Sequence, residues 1–258
     1  MDQQGSISGY NLKTPGFAIG YDDHISERQF LGVAVTVSYP DYNGGNATAD
    51  GTDIRLAVYG GAKLNHNWDL SYMAGYGWGN LDQDRYYRGF GYNADYDYKT
   101  LSFAIGLAKQ FKQTETSFVR PYVHYEYLKI DTDSYRENGA GGYALSMEDR
   151  TSDIDRVRVG FDYVKQSKET ENKYWRAGLF WQGQYGDTTP KANAYFNANP
   201  GDSRFISYAG AEDRNSLGVT IGWGTSISKN SDFHLSYTGL YGSNGDVQDF
   251  SMTFIRRF

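Results

Sequence analysis

The chain has 258 residues, a net charge of −6 and no cysteine, which excludes a disulfide framework, a thiol nucleophile and a thiolate metal site. The negative charge and the absence of a basic stripe argue against nucleic acid as a partner. The mean hydropathy is −0.66, and no apolar run approaches the length of a transmembrane helix. A membrane β-barrel escapes this hydropathy test, because only alternate residues of its strands face lipid.

Large apolar residues alternate with small or polar residues along most of the chain, which is the pattern of β-strands with two unlike faces. In the stretch 30–39, for example, Val33 and Val35 alternate with Gly32 and Ala34. The pattern predicts strands at 12–21, 30–39, 52–64, 68–78, 98–111, 118–130, 153–164, 173–185, 204–208, 215–227, 233–241 and 246–258. The ninth of these, at 204–208, has the weakest pattern.

The predicted connections alternate between short turns and longer polar loops, the longer ones at 40–51, 79–96 and 131–152. Short turns at one end and long loops at the other are typical of an outer-membrane barrel with both chain ends in the periplasm, and such barrels have an even number of strands. The sequence therefore predicts an all-β fold, a single antiparallel transmembrane β-barrel of twelve strands in up-and-down order over residues 1–258.

A soluble β-sandwich is the alternative fold with the same alternation. The outer face of a sandwich is wet and carries Lys, Glu and Thr, whereas the face opposite the large apolar residues carries mainly Gly, Ala, Ser and Thr here. Small residues suit the concave inside of a barrel, where side chains converge. Strand-end aromatics such as Trp78 and Tyr127 lie on the apolar face, where a barrel has its interfacial girdles. These features favour a barrel whose partner is the lipid bilayer.

The last predicted strand has a face made of Phe250, Met252, Phe254 and Phe258, interrupted by Arg256. A terminal phenylalanine preceded by alternating apolar residues resembles the final strand of bacterial outer-membrane barrels. We therefore expect this strand to direct membrane assembly.

The face opposite the apolar one collects polar and charged side chains, which in a barrel line a wet lumen where charges cost little. The predicted lumen-lining residues are Asp53, Arg55, Tyr59, Arg120, Tyr122, His124, Glu126, Arg156, Arg158, Asp162, Arg176, Gln182, His234 and Arg257. Two roles remain open for them: to solvate and brace the bore, or to contact a polar peptide segment inside it.

Several segments, in their order and spacing, resemble the C-terminal translocator (β-domain) of monomeric type V autotransporters. They are GYNLKTPGFAIGYD, FLGVAVTVSY, IRLAVYGG, WDLSYMAGYGWG, RPYVHYEYLKI, NSLGVTIGWG and the terminal FIRRF. The resemblance implies a twelve-stranded monomeric barrel in the bacterial outer membrane, an α-helical linker in its lumen and an N-terminal passenger secreted to the cell surface. It also implies insertion by the outer-membrane assembly machinery. Arg256 departs from the pattern, because an aromatic residue is usual there.

A passive porin is the alternative function, because it would have the same strands and the same polar lumen. Residues after Met1 lack the basic and apolar regions of a secretory leader, so we expect the chain to be part of a longer exported precursor. The sequence upstream distinguishes the two functions: a long passenger indicates an autotransporter, and a leader alone indicates a porin.

An outer-membrane hydrolase would need a Ser/His or Asp/His site. The four histidines, His24, His66, His124 and His234, have no Ser or Asp at an obvious partnering spacing. We therefore predict no catalytic residue, and the absence of metal, nucleotide and phosphate motifs predicts no cofactor.

Some autotransporters cleave their own linker inside the barrel with the help of lumen acids. Glu126 and Asp162 are the candidates for such a role in this chain. The residue that would be cleaved is not in the chain, so we assign no catalysis to these two acids.

Overall fold

The computed structural model describes residues 10–167, 173–189, 191–199, 201, 203–208, 213–228 and 230–256, most of them in β-strands. The first strands are β1 (Tyr10–Lys13), β2 (Gly16–Ser26), β3 (Gln29–Ser38), β4 (Asp41–Gly44), β5 (Ala47–Lys63), β6 (Trp68–Tyr87), β7 (Phe90–Lys109), β8 (Phe111–Lys112) and β9 (Ser117–Thr132). They are followed by β10 (Tyr135–Arg136), β11 (Asn138–Gly139), β12 (Leu145–Met147), β13 (Arg150–Gln166), β14 (Lys173–Gly186), β15 (Lys191–Phe196), β16 (Phe205–Tyr208), β17 (Asn215–Ser228), β18 (Ser231–Tyr241) and β19 (Asp246–Arg256). A 3-10 turn, Asn65–Asn67, separates β5 from β6. Within the described ranges, no helix has the length and apolarity to cross a membrane.

The main sheet is an antiparallel meander in which each long strand pairs with its neighbours along the chain. Its order is β2, β3, β5, β6, β7, β9, β13, β14, β17, β18 and β19. The short strands β1 and β4 extend β2 and β3 and pair with each other. Pairing is continuous over long stretches: β6 and β7 stay in register from Trp68↔Lys109 to Tyr87↔Phe90. The all-β antiparallel prediction is confirmed.

The placement of the ninth predicted strand in the barrel was wrong. Residues Phe205–Tyr208 do form a strand, β16, but it pairs with β15 in a separate four-stranded sheet, β10-β12-β15-β16. β14 pairs directly with β17 instead, from Lys173↔Thr225 to Gly183↔Asn215. The physical reason is length, because a membrane crossing needs about 9–11 residues and β16 has 4. The meander therefore has eleven long strands among the described residues.

Two stretches predicted as loops, 40–51 and 79–96, consist largely of β-strand. In the first, β5 begins at Ala47; in the second, β6 and β7 run on to a tight turn at Arg88 and Gly89, where φ is 51° and 83°. The 20 residues of β6 and of β7 exceed the length that a membrane crossing requires. Beyond the membrane both faces of a β-ribbon can be polar, because the main-chain ladder already satisfies the backbone. The polar composition of 40–51 and 79–96 reflects these ribbons.

The two faces of the meander differ in character. Leu56, Val58, Ile105 and Leu179 lie on a face where large apolar side chains are about half exposed, at 48%, 47%, 51% and 53%. The other face is concave: side chains from β6 and β18 line one shared cavity although β7, β9, β13, β14 and β17 lie between them in the sheet. The sheet thus curls into a trough with an apolar outside and a polar inside.

The edges of this trough are β2 and β19, and no ladder joins them in the part of the chain that the structure describes. Every residue of β2 is exposed, as is every residue of β19 except Ser251. Because β2 is the first and β19 the eleventh strand of an antiparallel series, the two edges run in the same direction.

The second sheet forms a cap, defined here as the segment 135–147 together with β15 and β16. The cap contacts the inward face of the extended β6–β7 ribbon. Arg85 of β6 donates from Nε and Nη2 to the Glu137 carboxylate at 2.7 and 2.6 Å. The Tyr135 ring stacks on the Tyr96 ring with centroids 4.4 Å apart, and burial raises the pKa of Tyr135 to about 12. Loop segments between the long strands therefore pack against this ribbon as a separate small sheet.

Candidate functional site

The described residues predicted to line a lumen lie on the concave face, where contacts between neighbouring strands connect most of them. The strand register explains this, because side chains opposite each other on one face of an antiparallel pair are neighbours. Arg120 is opposite Asp162, and Arg158 is opposite both His124 and Gln182. Arg257 and Phe258 lie outside the described residues.

A buried carboxylate, that of Asp162 on β13, is the centre of one charged cluster. Its side chain is fully buried, and its Oδ2 pairs with Arg120 Nη2 of β9 at 3.0 Å and with Arg176 Nη2 of β14 at 2.9 Å. Its Oδ1 faces Gly178, where a Cβ would lie only 2.5 Å away. Glycine at this position therefore makes room for the carboxylate between its two cations.

Arg158 adds a third guanidinium group to the same interior region. Its Nη2 donates to Gln182 Oε1 at 2.8 Å, and its guanidinium carbon lies 4.6 Å from the centroid of the Phe180 ring. Such a cation–π contact orients the guanidinium without neutralising it. Arg158 has no ion pair with a carboxylate in the described part of the chain.

A cavity of about 320 Å³ opens over these arginines. The cavity is lined mainly by hydrogen-bond donors from strands on opposite sides of the trough. Its polar lining residues are Asp69, Ser71, Arg120, Tyr122, His124, Arg158, Arg176, Thr220, Ser236 and Thr238. The Asp69 carboxylate accepts a hydrogen bond from Gln110 Nε2 at 2.7 Å.

A weaker charged pair lies one step along the same strands. Arg156 Nη1 is 3.7 Å from Glu126 Oε1, and both side chains are partly exposed. Arg156 also donates from Nε to Gln184 Oε1 at 3.0 Å. Gln184 was missed by the sequence reasoning, although it has the same alternation as the predicted Gln182.

A second buried carboxylate, Asp53 of β5, organises the interior on the other side of the trough. Its oxygens accept from Arg55 Nε at 2.6 Å, from Tyr98 Oη at 2.9 Å and from Ser38 Oγ at 3.4 Å. Tyr59 donates to Asp22 at 2.9 Å. Tyr98 was missed by the sequence reasoning, although it has the same strand parity as Ser102 and Ala104, which belong to the face of small residues.

The histidines lie in four unrelated settings. His124 lines the cavity, and His234 Nδ1 is hydrogen-bonded to Tyr174 Oη at 2.8 Å. His66 lies in the 3-10 turn with φ of 62°, and His24 lies in β2. No group of three or more His, Asp or Glu side chains that could hold a metal ion occurs among the residues described.

The terminal strand β19 presents its apolar residues on the outer face. Phe250, Met252 and Phe254 are exposed by 70%, 66% and 60%. Such a row is stable in lipid and would be unfavourable in water. An antiparallel meander with this outer face and a charged concave interior has the features of an integral outer-membrane β-barrel.

Comparison with solved structures gives the same fold. The translocator domain of autotransporter NalP from Neisseria meningitidis matches with a TM-score of 0.80 at 10% identity, covering 96% of this chain and 82% of that chain. The β-domain of the Bordetella autotransporter BrkA matches with a TM-score of 0.69 at 13% identity, covering 98% and 94% of the two chains.

Comparison with curated proteins finds distant relatives. Outer membrane protein B of Rickettsia prowazekii is 24% identical over 175 residues, which are 62% of this chain and 10% of that protein. The same-named protein of Rickettsia rickettsii is 23% identical over 172 residues, 61% of this chain and 10% of that protein. The chain thus spans about a tenth of the length of these relatives.

The family model "Autotransporter beta-domain" matches residues 1–238. The chain belongs to the autotransporter β-domain family. It is therefore an integral β-barrel domain of the bacterial outer membrane, of the family of autotransporter translocator domains.

Proposed function

We propose that the concave interior is the conduit through which the chain's own N-terminal polypeptide crosses the outer membrane. One observation carries this proposal: charged and hydroxyl side chains cover the inside of a wall whose outside is apolar. A translocating peptide carries polar backbone groups that hydrocarbon cannot satisfy, whereas a wet, hydrogen-bonding bore can.

The lining residues would contact that peptide. In this proposal, the partly exposed side chains Arg55, Glu126 and Arg156 meet the moving or parked segment, while the buried Asp53 and Asp162 hold their arginines in position. The upstream passenger and the linker are the partners of these residues, and the passenger's own activity belongs to the part of the protein outside this chain.

We further propose that the functional barrel has twelve strands. β2 and β19 run in the same direction and both leave an exposed edge. One additional strand between them would run antiparallel to both, giving the even strand number of bacterial outer-membrane barrels.

Closure of the seam would make the domain a monomer in the membrane, since a closed barrel leaves no unsatisfied strand edge in hydrocarbon. The outer-membrane assembly machinery would recognise the terminal strand through its apolar row. We assign no catalytic role to the lumen acids, because Glu126 faces Arg156 and Asp162 is held between two arginines.

Single-channel conductance in a planar bilayer tests the conduit. The chain should be compared with a version extended by its native upstream residues. We expect the short form to conduct strongly and the extended form to be largely closed by its own linker. Equal conductance of the two would support the passive-porin function instead.

A further inference from the structure

The cavity over Asp162 contains more positive than negative charge. Arg120, Arg158 and Arg176 contribute three guanidinium groups, and Asp162 is the carboxylate paired with two of them. Asp69, the acid of the lining itself, is hydrogen-bonded to Gln110 at the side of the cavity formed by β6 and β7, so the three arginines outnumber the two acids. This local excess is opposite in sign to the net charge of −6 of the chain.

The hydrogen-bonding capacity of these arginines is also incompletely used. The Nε atoms of Arg120, Arg158 and Arg176 are buried and have no partner within the described residues. About a third of the side chain of Arg120 (33%) and of Arg176 (35%) nevertheless remains exposed. The exposed parts of these guanidinium groups are open to an acceptor that enters the cavity, which would form charge-assisted hydrogen bonds with them.

The chemistry of the lining specifies the kind of acceptor. Guanidinium groups present planar, paired N–H donors that match the two oxygens of a carboxylate. Serine and threonine hydroxyls from Ser71, Thr220, Ser236 and Thr238 surround them and supply further donors. Arg158 is the most available cation, because the Phe180 ring and the Gln182 amide orient it without neutralising it.

We propose that this cavity, with Arg158 as its principal cation, binds the side-chain carboxylate of an acidic residue carried by the peptide inside the lumen. The inference rests on the proposed conduit and adds a specific contact to it. A bound glutamate or aspartate would hold the peptide at a defined position along the bore, whereas an uncharged residue would pass without this contact.

Peptide binding to the refolded chain in detergent micelles tests the site without requiring conduction. The probes are two fluorescently labelled peptides of Ser, Gly and Ala with blocked ends, one with a single central glutamate and the other with glutamine. A charge-assisted hydrogen bond contributes about 1.5–3 kcal/mol, so the glutamate peptide should bind about tenfold or more tightly in fluorescence anisotropy.

The variant Arg158→Gln should bring the two peptides to within about twofold of each other, because it removes the free cation and keeps the Asp162 pairs. Arg88→Gln is the matched control, since it makes the same charge change at the exposed β6–β7 turn and should keep the preference. Heat-modifiable migration in gels, the difference between unheated and heated samples, verifies that each variant is folded. Equal binding of the two peptides to the unaltered chain, or a preference that persists in Arg158→Gln, overturns the proposal.

Free anions provide a further arm of the experiment. Sulfate at low millimolar concentration and constant ionic strength should leave most of the glutamate preference intact. If sulfate abolishes it, the cavity is a site for small anions and the peptide assignment is wrong. If the short and the extended chain conduct equally but the glutamate preference is intact, the conduit is rejected and the carboxylate site is retained. The two proposals can therefore fail separately.

Discussion

Asp162 stabilises the wall more than the other paired acids of the same strands, because it is fully buried between two guanidinium groups. Removal of one partner from a buried ion pair leaves an uncompensated charge, which costs far more than the loss of an exposed pair. The contrast between Asp162 and the partly exposed Glu126 can therefore be measured within one protein.

Asp162→Asn should lower the free energy of unfolding by about 3–5 kcal/mol, because Arg120 and Arg176 lose their carboxylate. Glu126→Gln should lower it by only about 0–1 kcal/mol, since its pair with Arg156 is partly exposed. Urea unfolding of the refolded protein, followed by tryptophan fluorescence, measures both. Equal effects of the two substitutions would show that Asp162 is not the centre of the cluster.

Deletion of Phe258 tests the predicted role of the terminal strand in membrane assembly. Deletion of Phe258 should reduce the amount of barrel inserted in the outer membrane of cells, since the assembly machinery would lose the end of the apolar row. Immunoblots of outer-membrane fractions measure this amount. Phe111→Ser, at an exposed position of the short strand β8, is the control that should insert normally. Normal insertion after the deletion would contradict the role given to this strand.

Among the elements, the cap is held to the β6–β7 ribbon by a buried ion pair rather than by a large apolar core. Arg85 and Glu137 have side-chain exposures of 14% and 2%. The cap's own core is small and consists of Met147, Ala192 and Ala194 with Tyr135 packed against it. Such a unit can open locally while the wall stays folded.

Glu137→Gln should therefore release the cap. The substitution leaves Arg85 buried without a carboxylate, and amides of β12 should exchange about a hundredfold faster or more. Hydrogen exchange followed by mass spectrometry measures this, with wall strands β13 and β14 as internal references. Glu148→Gln, whose partner Arg204 is 70% exposed, is the control and should change little. Unchanged exchange in β12 would show that the ion pair does not hold the cap.

At the scale of the whole molecule, the seam between β2 and β19 decides how the barrel closes. Adjacent strands lie about 4.8 Å apart, so two strands that flank a third are about 9.6 Å apart and beyond the reach of a disulfide. The chain contains no cysteine, which makes introduced pairs unambiguous.

Cysteine pairs that combine Ile19 with Phe250, Met252 or Phe254 should not form disulfides in the chain extended by its native upstream residues. Leu179 and Val219 are register partners on β14 and β17, and cysteines at these positions should crosslink as the positive control. Gel mobility after mild oxidation measures both. Efficient crosslinking across the seam would contradict a twelfth strand between β2 and β19.

The antiparallel meander and its two unlike faces were predictable because alternation such as that of Gly32 to Val35 reports local geometry. The polar ribbons were not predictable from the sequence. The segment that contains Asp82 and Asp84 has the composition of a loop, although the main-chain ladder keeps it in a strand. The exclusion of 204–208 from the wall depends on the direct pairing of β14 with β17, which no local pattern encodes.

The interior residues were predictable by parity, whereas their contacts were not. Arg120 and Asp162 are 42 positions apart, and the register that joins them depends on the whole β9–β13 ladder. The excess of guanidinium groups over Asp162 likewise emerges only when three strands are side by side. Parity also applied to Tyr98 and Gln184, but Tyr98 is the first residue of the predicted strand 98–111 and Gln184 lies near the end of β14.

Surface exposure of the passenger tests the translocator function most directly. The native upstream sequence with an epitope-tagged passenger should be expressed in bacteria with an outer membrane, and protease should then be added to intact cells. We expect the tag to be cleaved while the barrel stays protected, and a form lacking β19 to leave the tag inside the cell. A tag that remains periplasmic beside a fully folded, membrane-inserted barrel would contradict the account.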